Sequence, residues 1–208
     1  SLVPRKYISA AAYGTDKAIF AYGSTTGETS STAYTNLVSN TGVIAADAYT
    51  GGQERMRAAG VGYGDDKAIF GYGANYSNPV LNSTYLVSNT GTFSSGQAAI
   101  GTGRYGVAAA SYGTDKAIFG FGSAGSYSPS RITNLVSNTG VVSGDQNIAD
   151  NPRYWLAAAG YGGDKAIFSG GVDSPSTNLV SNTGVISAFI TQVGTGRYML
   201  AAAGYSLT

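Results

Sequence analysis

The feature that most constrains the fold of this chain is a tandem repeat. The pentad Asp-Lys-Ala-Ile-Phe recurs at intervals of 49 or 50 residues, beginning at Asp16, Asp66, Asp115 and Asp164. The hexad Leu-Val-Ser-Asn-Thr-Gly begins at Leu37, Leu86, Leu135 and Leu179. An Arg followed by a run rich in Ala and Gly that ends in Tyr occurs at Arg5–Tyr13, Arg55–Tyr63, Arg104–Tyr112, Arg153–Tyr161 and Arg197–Tyr205. Repeats with periods of 20–50 residues indicate stacked or ring-forming units. We therefore treat 1–208 as one repeat domain, with units at 5–54, 55–103, 104–152 and 153–196 and a partial fifth at 197–208.

Each unit is predicted to form four short antiparallel strands, because its apolar residues follow no helical period of 3.6 residues. In the third unit the strands are predicted at Tyr105–Tyr112, Lys116–Phe121, Asn134–Ser137 and Val141–Val142. The loop Gly113–Asp115 has the composition of a tight hairpin, and Asn138–Gly140 is a second turn signal. The unit is therefore expected to be an up-and-down meander.

A meander of this size cannot bury its apolar face alone, so neighbouring units must stack. Closure into a ring is a common solution for four-stranded units of this length. We therefore predict an all-β fold, a β-propeller of four four-stranded antiparallel blades plus a surplus first strand. Ala-rich strands suit the crowded centre of a small ring, so either Ala10–Ala12 or Ala201–Ala203 is expected beside Lys17–Tyr22. Alternatively, Arg197–Tyr205 begins a further blade and the chain is part of a larger propeller.

Composition argues against several classes of function. The sequence contains neither His nor Cys, which removes the usual general base, the reactive thiol and the commonest metal ligands. Asp145 and Asp150 lack the spacing of a calcium loop, so no metal and no cofactor is expected. The net charge is +1 with scattered cations, which predicts no nucleic-acid partner. No apolar run approaches the roughly 20 residues that span a bilayer, so we expect a soluble protein without membrane insertion.

The segments in which the units differ are the best candidates for binding. Between the second and third predicted strands lie variable stretches rich in Ser, Thr, Asn and Tyr, namely Ser24–Thr35, Ala74–Thr84, Ser123–Thr133 and Val172–Thr177. Aromatic side chains among small polar ones are typical of paratopes and sugar sites. The candidate binding residues in or beside these stretches are Tyr34, Tyr76, Tyr85 and Tyr127, with ordinary solvated loops as the alternative. The only tryptophan, Trp155, is a fifth candidate, and it could equally be a core filler.

The repeat resembles the Kelch family of β-propellers. The residues that carry the resemblance are Arg104-Tyr105-Gly106, the strand region Asp115–Gly122 and the short Asn134-Leu135-Val136 segment with its Asn-Thr turn. The chain is also similar to the chromosome-condensation-regulator type of propeller, and its near-identical units resemble Kelch-like arrays in virion and tail proteins of tailed phages.

These resemblances imply a non-enzymatic structural or binding module of a virion, such as a phage tail or decoration protein, or of an extracellular surface appendage. Its partners would be other protein subunits, with a homo-oligomer as one possibility. The alternative is a lectin-like propeller that binds a glycan or surface receptor through the Tyr-bearing loops.

Overall fold

The computed structural model describes residues 2–27, 29–148, 150–172, 174–191 and 195–204. Within these ranges the chain is all-β and contains no helix, so none is present that could cross a membrane. The first sheet contains β1 (Ser9–Tyr13), β2 (Lys17–Ala21), β3 (Tyr34–Val38) and β4 (Ala48–Tyr49). The second contains β5 (Ala59–Tyr63), β6 (Lys67–Gly71) and β7 (Thr84–Val87). The third contains β8 (Ala108–Tyr112), β9 (Lys116–Gly120), β10 (Ile132–Val136) and β11 (Gln146–Asn147). The fourth contains β12 (Ala157–Tyr161), β13 (Lys165–Ser169), β14 (Ser176–Val180) and β15 (Ile190–Thr191).

Each sheet is an antiparallel meander in chain order, as the sequence predicts. The first hairpin of the third sheet closes at the pair Tyr112–Lys116, so its loop is Gly113–Asp115. Gly113 and Thr114 both have left-handed backbone, with φ of 60° and 67°. A two-residue left-handed path matches the twist of the flanking strands, which explains why glycine opens this loop.

The predicted fourth strand is misplaced. Val142 forms only an isolated bridge with Val136, and the fourth strand of this sheet is Gln146–Asn147. The Ser137 side chain explains the difference, because its Oγ accepts the amide hydrogen of Val141 at 3.0 Å and closes a compact turn. The chain therefore rejoins the sheet only beyond that turn, and in the second sheet the described residues form no fourth strand at all.

Consecutive sheets pack face to face through a repeated aromatic contact. The phenylalanine of each second strand packs edge-on against a ring of the preceding sheet, with centroid distances of 5.8 Å for Phe70–Tyr22, 5.1 Å for Phe119–Tyr72 and 5.4 Å for Phe168–Phe121. All of these rings are fully buried. The main hydrophobic clusters therefore lie between sheets, each made from two neighbours.

Backbone hydrogen bonds repeat at every junction between sheets. A glycine amide after each second strand donates to the carbonyl of the next unit's Arg, in the pairs Gly23–Arg55, Gly73–Arg104, Gly122–Arg153 and Gly171–Arg197. A glycine amide in the first hairpin of the first three sheets donates to the carbonyl of the next unit's Asp, in the pairs Gly14–Asp66, Gly64–Asp115 and Gly113–Asp164. The units are thus joined by the same atoms each time.

The sheets follow one another in chain order, and among the described residues no strand pairing joins the fourth sheet to the first. Ala10–Ala12 lie in β1 and pair with β2, which is one of the two predicted arrangements. The C-terminal copy lies against the fourth unit, where the Arg197 carbonyl accepts from Gly171 and the Met199 amide donates to Trp155. Its described part therefore continues the array and does not complete the first sheet; Tyr205 lies outside the described residues.

Candidate functional site

One residue of each unit, two positions before the first strand, has left-handed backbone. The φ values are 57° for Tyr7, 58° for Arg57, 62° for Gly106, 58° for Trp155 and 56° for Met199. The amide of each of the last four donates to the carbonyl of its counterpart in the preceding unit, at 3.2, 3.1, 3.1 and 2.8 Å in chain order. These five residues form what we call the left-handed ladder.

The ladder residues combine an energetically unfavourable backbone conformation with unusual sequence variation. A residue other than glycine in the left-handed region costs roughly 1–2 kcal/mol, yet four of the five ladder residues carry side chains. The neighbouring strand segments are nearly identical between units, whereas this position is Tyr, Arg, Gly, Trp and Met in turn. Retained strain at a position that varies between copies indicates that the side chains themselves are used.

The ladder brings an arginine and several aromatic rings together. The Arg57 guanidinium lies 4.8 Å from the Tyr7 ring, 5.4 Å from Trp155 and 5.5 Å from Tyr105. The Tyr7 and Trp155 rings stack at 6.3 Å with an interplanar angle of 30°. Gly106 leaves the room for this, because a Cβ there would lie 3.2 Å from the Trp155 ring. We call Tyr7, Arg57, Tyr105 and Trp155 the ladder cluster.

The ladder cluster is partly open to solvent. Tyr7, Arg57 and Trp155 are half-buried, and Tyr105 is buried. It offers flat apolar surfaces beside one positive charge, a combination suited to planar or aromatic groups of a partner. Trp155 was a candidate from the sequence alone, whereas Tyr7, Arg57 and Tyr105 were missed. The signal that could have found two of them was the variation at equivalent positions of the units.

The predicted loop tyrosines do not form one site. Tyr76 and Tyr127 are 75% and 71% exposed in separate loops. Tyr34 lies in β3 and packs edge-on against Tyr49 at 6.2 Å. Tyr85 lies in β7, is buried, and accepts the amide hydrogen of Gln53 at 2.7 Å through its hydroxyl. Only Tyr76 and Tyr127 are therefore free to contact a large ligand.

The repeated arginines before the first strands are structural. Arg104 is fully buried and donates to the carbonyls of Phe121 at 3.0 Å and Ile132 at 2.6 Å, and to the Asn134 side chain. These acceptors belong to its own unit, so the arginine side-chain hydrogen bonds lie within a unit and do not join one unit to the next. The preceding sheet is reached by the face of the guanidinium, 4.6 Å from the Tyr72 ring.

Electrostatics at these arginines follow from burial. Burial lowers the pKa of Arg104, and it lowers the pKa of Arg153 to about 10 although Asp150 opposes the shift. Burial alone would raise the pKa of Asp145, but hydrogen bonds from Asn134 and Thr102 outweigh it, so the pKa of Asp145 is lowered. Arg153 is paired with Asp150, whereas Arg104 and Asp145 are held by neutral hydrogen-bonding groups, so these charges are not arranged around an open site.

The Asp-Lys pairs are also held in turns. The Asp66 carboxylate accepts hydrogen bonds from Lys67 at 2.8 Å and from Asn89 of the next turn at 2.9 Å, and these bonds lower the pKa of Asp66. Within the described residues no group of three or more acidic side chains could hold a metal ion. Two adjoining cavities of about 210 and 310 Å³ lie below the first hairpins, at the end opposite the ladder, and share Ser111 and Thr114.

Comparison with known proteins gives no family for this chain: no family model matches it, and no curated protein matches it.

Proposed function

We propose that this chain is a non-enzymatic structural and binding module whose sheets are successive blades of a β-propeller. The observation that carries the proposal is the junction between sheets, which is built three times from the same backbone atoms and the same aromatic contact. Identical junctions make a stiff, regular array, because every unit fixes the orientation of the next. Such an array suits a spacer or scaffold.

The ladder supports a curved arrangement. Backbone-bonded neighbours are spaced about 4.8 Å apart, so three steps along a straight ladder would cover about 14 Å. The rings of Tyr7 and Trp155, three steps apart, nevertheless stack at 6.3 Å. A ladder that curves toward the side that carries these rings would favour this contact, and curvature is what a propeller requires.

The polar groups favour binding over catalysis. Catalysis needs a convergent set of groups with an acid, a base or a nucleophile free to act. In this chain the sequence supplies no His or Cys, and Asp66 and its counterparts are committed to lysine and asparagine partners in turns. We therefore assign no enzymatic activity to the chain.

The partner we propose is a protein subunit of a virion, such as a phage tail or decoration, or of a surface appendage. The setting comes from the resemblance to Kelch-like phage arrays, and the ladder cluster supports protein contact. Its half-buried Trp155 and Tyr7 with a central Arg57 combine residue types that dominate protein interfaces.

The second candidate function is that of a lectin-like receptor binder. The observation in its favour is the exposure of Tyr76 and Tyr127, since a ring that stands in solvent can stack on a sugar. Their loops belong to neighbouring units, so a branched glycan could contact both.

A glycan array with the intact chain separates the two functions. The structural role predicts no specific binding to any glycan. Specific binding that is lost in a Tyr76→Ala/Tyr127→Ala double variant, and kept in a Tyr198→Ala control at another exposed tyrosine (59% exposed), would replace the structural role by the lectin role.

A further inference from the structure

Among the described residues, the two ends of the array carry matching faces that are less covered than their counterparts at the internal junctions. We call the face of a sheet that packs against the next sheet in the chain its trailing face, and the face that packs against the preceding sheet its leading face. At each internal junction a trailing face covers the leading face of the next sheet. Phe70, Phe119 and Phe168 on leading faces are fully buried, whereas their counterpart Phe20 on the first sheet is only half-buried. Ile19, Ile69 and Ile118 on trailing faces are fully buried, whereas their counterpart Ile167 on the fourth sheet is half-buried.

The turns after the third strands show the same mismatch. A Cβ on Gly91 would lie 2.9 Å from Leu37 of the preceding sheet, and a Cβ on Gly140 would lie 2.8 Å from Leu86. Gly184 is equally close to its neighbour, with Tyr112 at 3.0 Å. The counterpart of these glycines in the first unit, Gly42, has no described atom within 4 Å. The turn at Asn40–Gly42 therefore projects from the first sheet without the neighbouring sheet that contacts its counterparts.

The surface that would receive this turn is exposed on the fourth sheet. Tyr161 and Leu179, the counterparts of the residues that receive this turn, line an apolar cleft of about 330 Å³. Tyr161 is half-buried, although Tyr13, Tyr63 and Tyr112 at the same position are each 4% exposed.

The first hairpin of the fourth sheet also lacks its usual neighbour. Gly14, Gly64 and Gly113 each approach an asparagine carbonyl of the next unit, with a Cβ-to-oxygen distance of 2.7–2.9 Å. Around Gly162, at the same position, the described residues place only the Lys165 side chain, at 4.0 Å. The missing asparagine carbonyl at Gly162 and the uncovered turn at Asn40–Gly42 are complementary.

We infer that a second copy of this chain docks head to tail, with the leading face of its first sheet on the trailing face of the fourth sheet. The interface would repeat the internal junction, with Phe20 and the Asn40–Gly42 turn in the place that Phe70 and Gly91 take inside the chain. Such an interface is heterologous, because different surfaces of the two copies meet. The inference rests on the proposed protein-contact role and names the partner.

Residues 197–204 would have to be displaced from the fourth sheet for this docking. Residues 197–204 repeat the pattern of Arg5–Ala12 and lie where the first strand of an incoming copy would lie. They pair with no described strand, and Leu200 contacts Gly170 at the edge of the fourth sheet. A Leu200→Asp variant should therefore loosen this segment and tighten association several-fold; weaker association in this variant would contradict the docking geometry.

Two charge variants test the interface on the intact chain by sedimentation velocity. Phe20→Glu alters only the leading face and Leu179→Glu only the trailing face. We expect the wild-type chain to self-associate and each variant alone to bind itself about 100-fold more weakly, because an unpaired carboxylate would be buried. Mixing the two variants should restore a dimer with one copy of each, since every copy keeps one intact face. Arg131→Glu, at an exposed position of the third unit, should behave as wild type.

Three results would overturn the inference: a monomeric wild-type chain at every concentration, self-association that both variants retain, or a mixture that stays monomeric. Circular dichroism and melting check that the variants fold, and Ala10→Glu with Tyr161→Glu provides a second pair on the same two faces. Failure here leaves the glycan-array result unchanged, so the partner and the broader role are tested separately.

Discussion

Replacing Arg104 by Met should strongly destabilise the fold, because this side chain is fully buried and its hydrogen-bonding groups have fixed acceptors. The guanidinium donates to two carbonyls of its own sheet, Phe121 and Ile132, and to Asn134. Methionine has a similar length but donates nothing. Breaking a buried charged cluster by removing one partner costs about 3–5 kcal/mol, since the groups left behind stay desolvated. For a chain of this size that corresponds to a fall in Tm of about 6–20 °C.

The matched control is Arg131→Met, which removes the same charge from an exposed site. Its effect on the free energy of unfolding should stay within about 0.5 kcal/mol. Urea denaturation followed by far-UV circular dichroism measures both variants, and equal m-values show that the same transition is compared. If Arg104→Met came within about 1 kcal/mol of Arg131→Met, the buried hydrogen bonds would not stabilise the sheet, and the reasoning would be refuted.

Three further predictions follow from local geometry. Gly122→Ala should cost about 2–4 kcal/mol in urea denaturation, because its φ is 98° and a Cβ would lie 2.6 Å from a side chain, whereas Gly144→Ala, with open space around it, should be nearly neutral. Arg57→Ala should shift the fluorescence emission of Trp155, the only tryptophan, to longer wavelength; unchanged emission would contradict the ladder cluster. The lowered pKa of Asp145 means that its stabilisation is present above its unfolded value near 3.8 and is lost as pH falls through the folded pKa, so Asp145→Asn should flatten the acid side of the stability-pH curve.

The repeat and its hairpins could be predicted from the sequence because both depend on local signals. The loop Gly113–Asp115 was found from its Gly and Asp residues, and β9 was found to within one residue. The fourth strand could not be placed, because valines at positions 141 and 142 look like strand residues. The Ser137 hydroxyl instead holds the chain in a turn there.

The candidate site was only partly predictable for a different reason. Trp155 was noticed because it is unique, but its environment depends on backbone geometry that composition does not report. The left-handed φ of Tyr7 and Arg57 and the gap at Gly106 bring residues from four units into contact. Tyr85 was offered as a binding residue because of its type and position, yet its hydroxyl is used by the backbone of Gln53. Whether an aromatic residue lies in an open cluster, as Trp155 does, or is buried in the structure, as Tyr85 is, depends on packing between sheets.

The left-handed ladder makes this protein unusually open to evolutionary change at one place per unit. Backbone hydrogen bonds between neighbouring units hold the ladder residues, so no side-chain bond is needed to keep the ladder together. Duplication of a unit therefore also duplicates a position at which any residue that tolerates the backbone can be tried without disturbing the sheets. The succession of Tyr, Arg, Gly, Trp and Met shows one template that carries five different residues, and those residues must fit one another, as Gly106 leaves room for Trp155. A lineage with such a template can acquire a new surface by single substitutions while its shape stays constant.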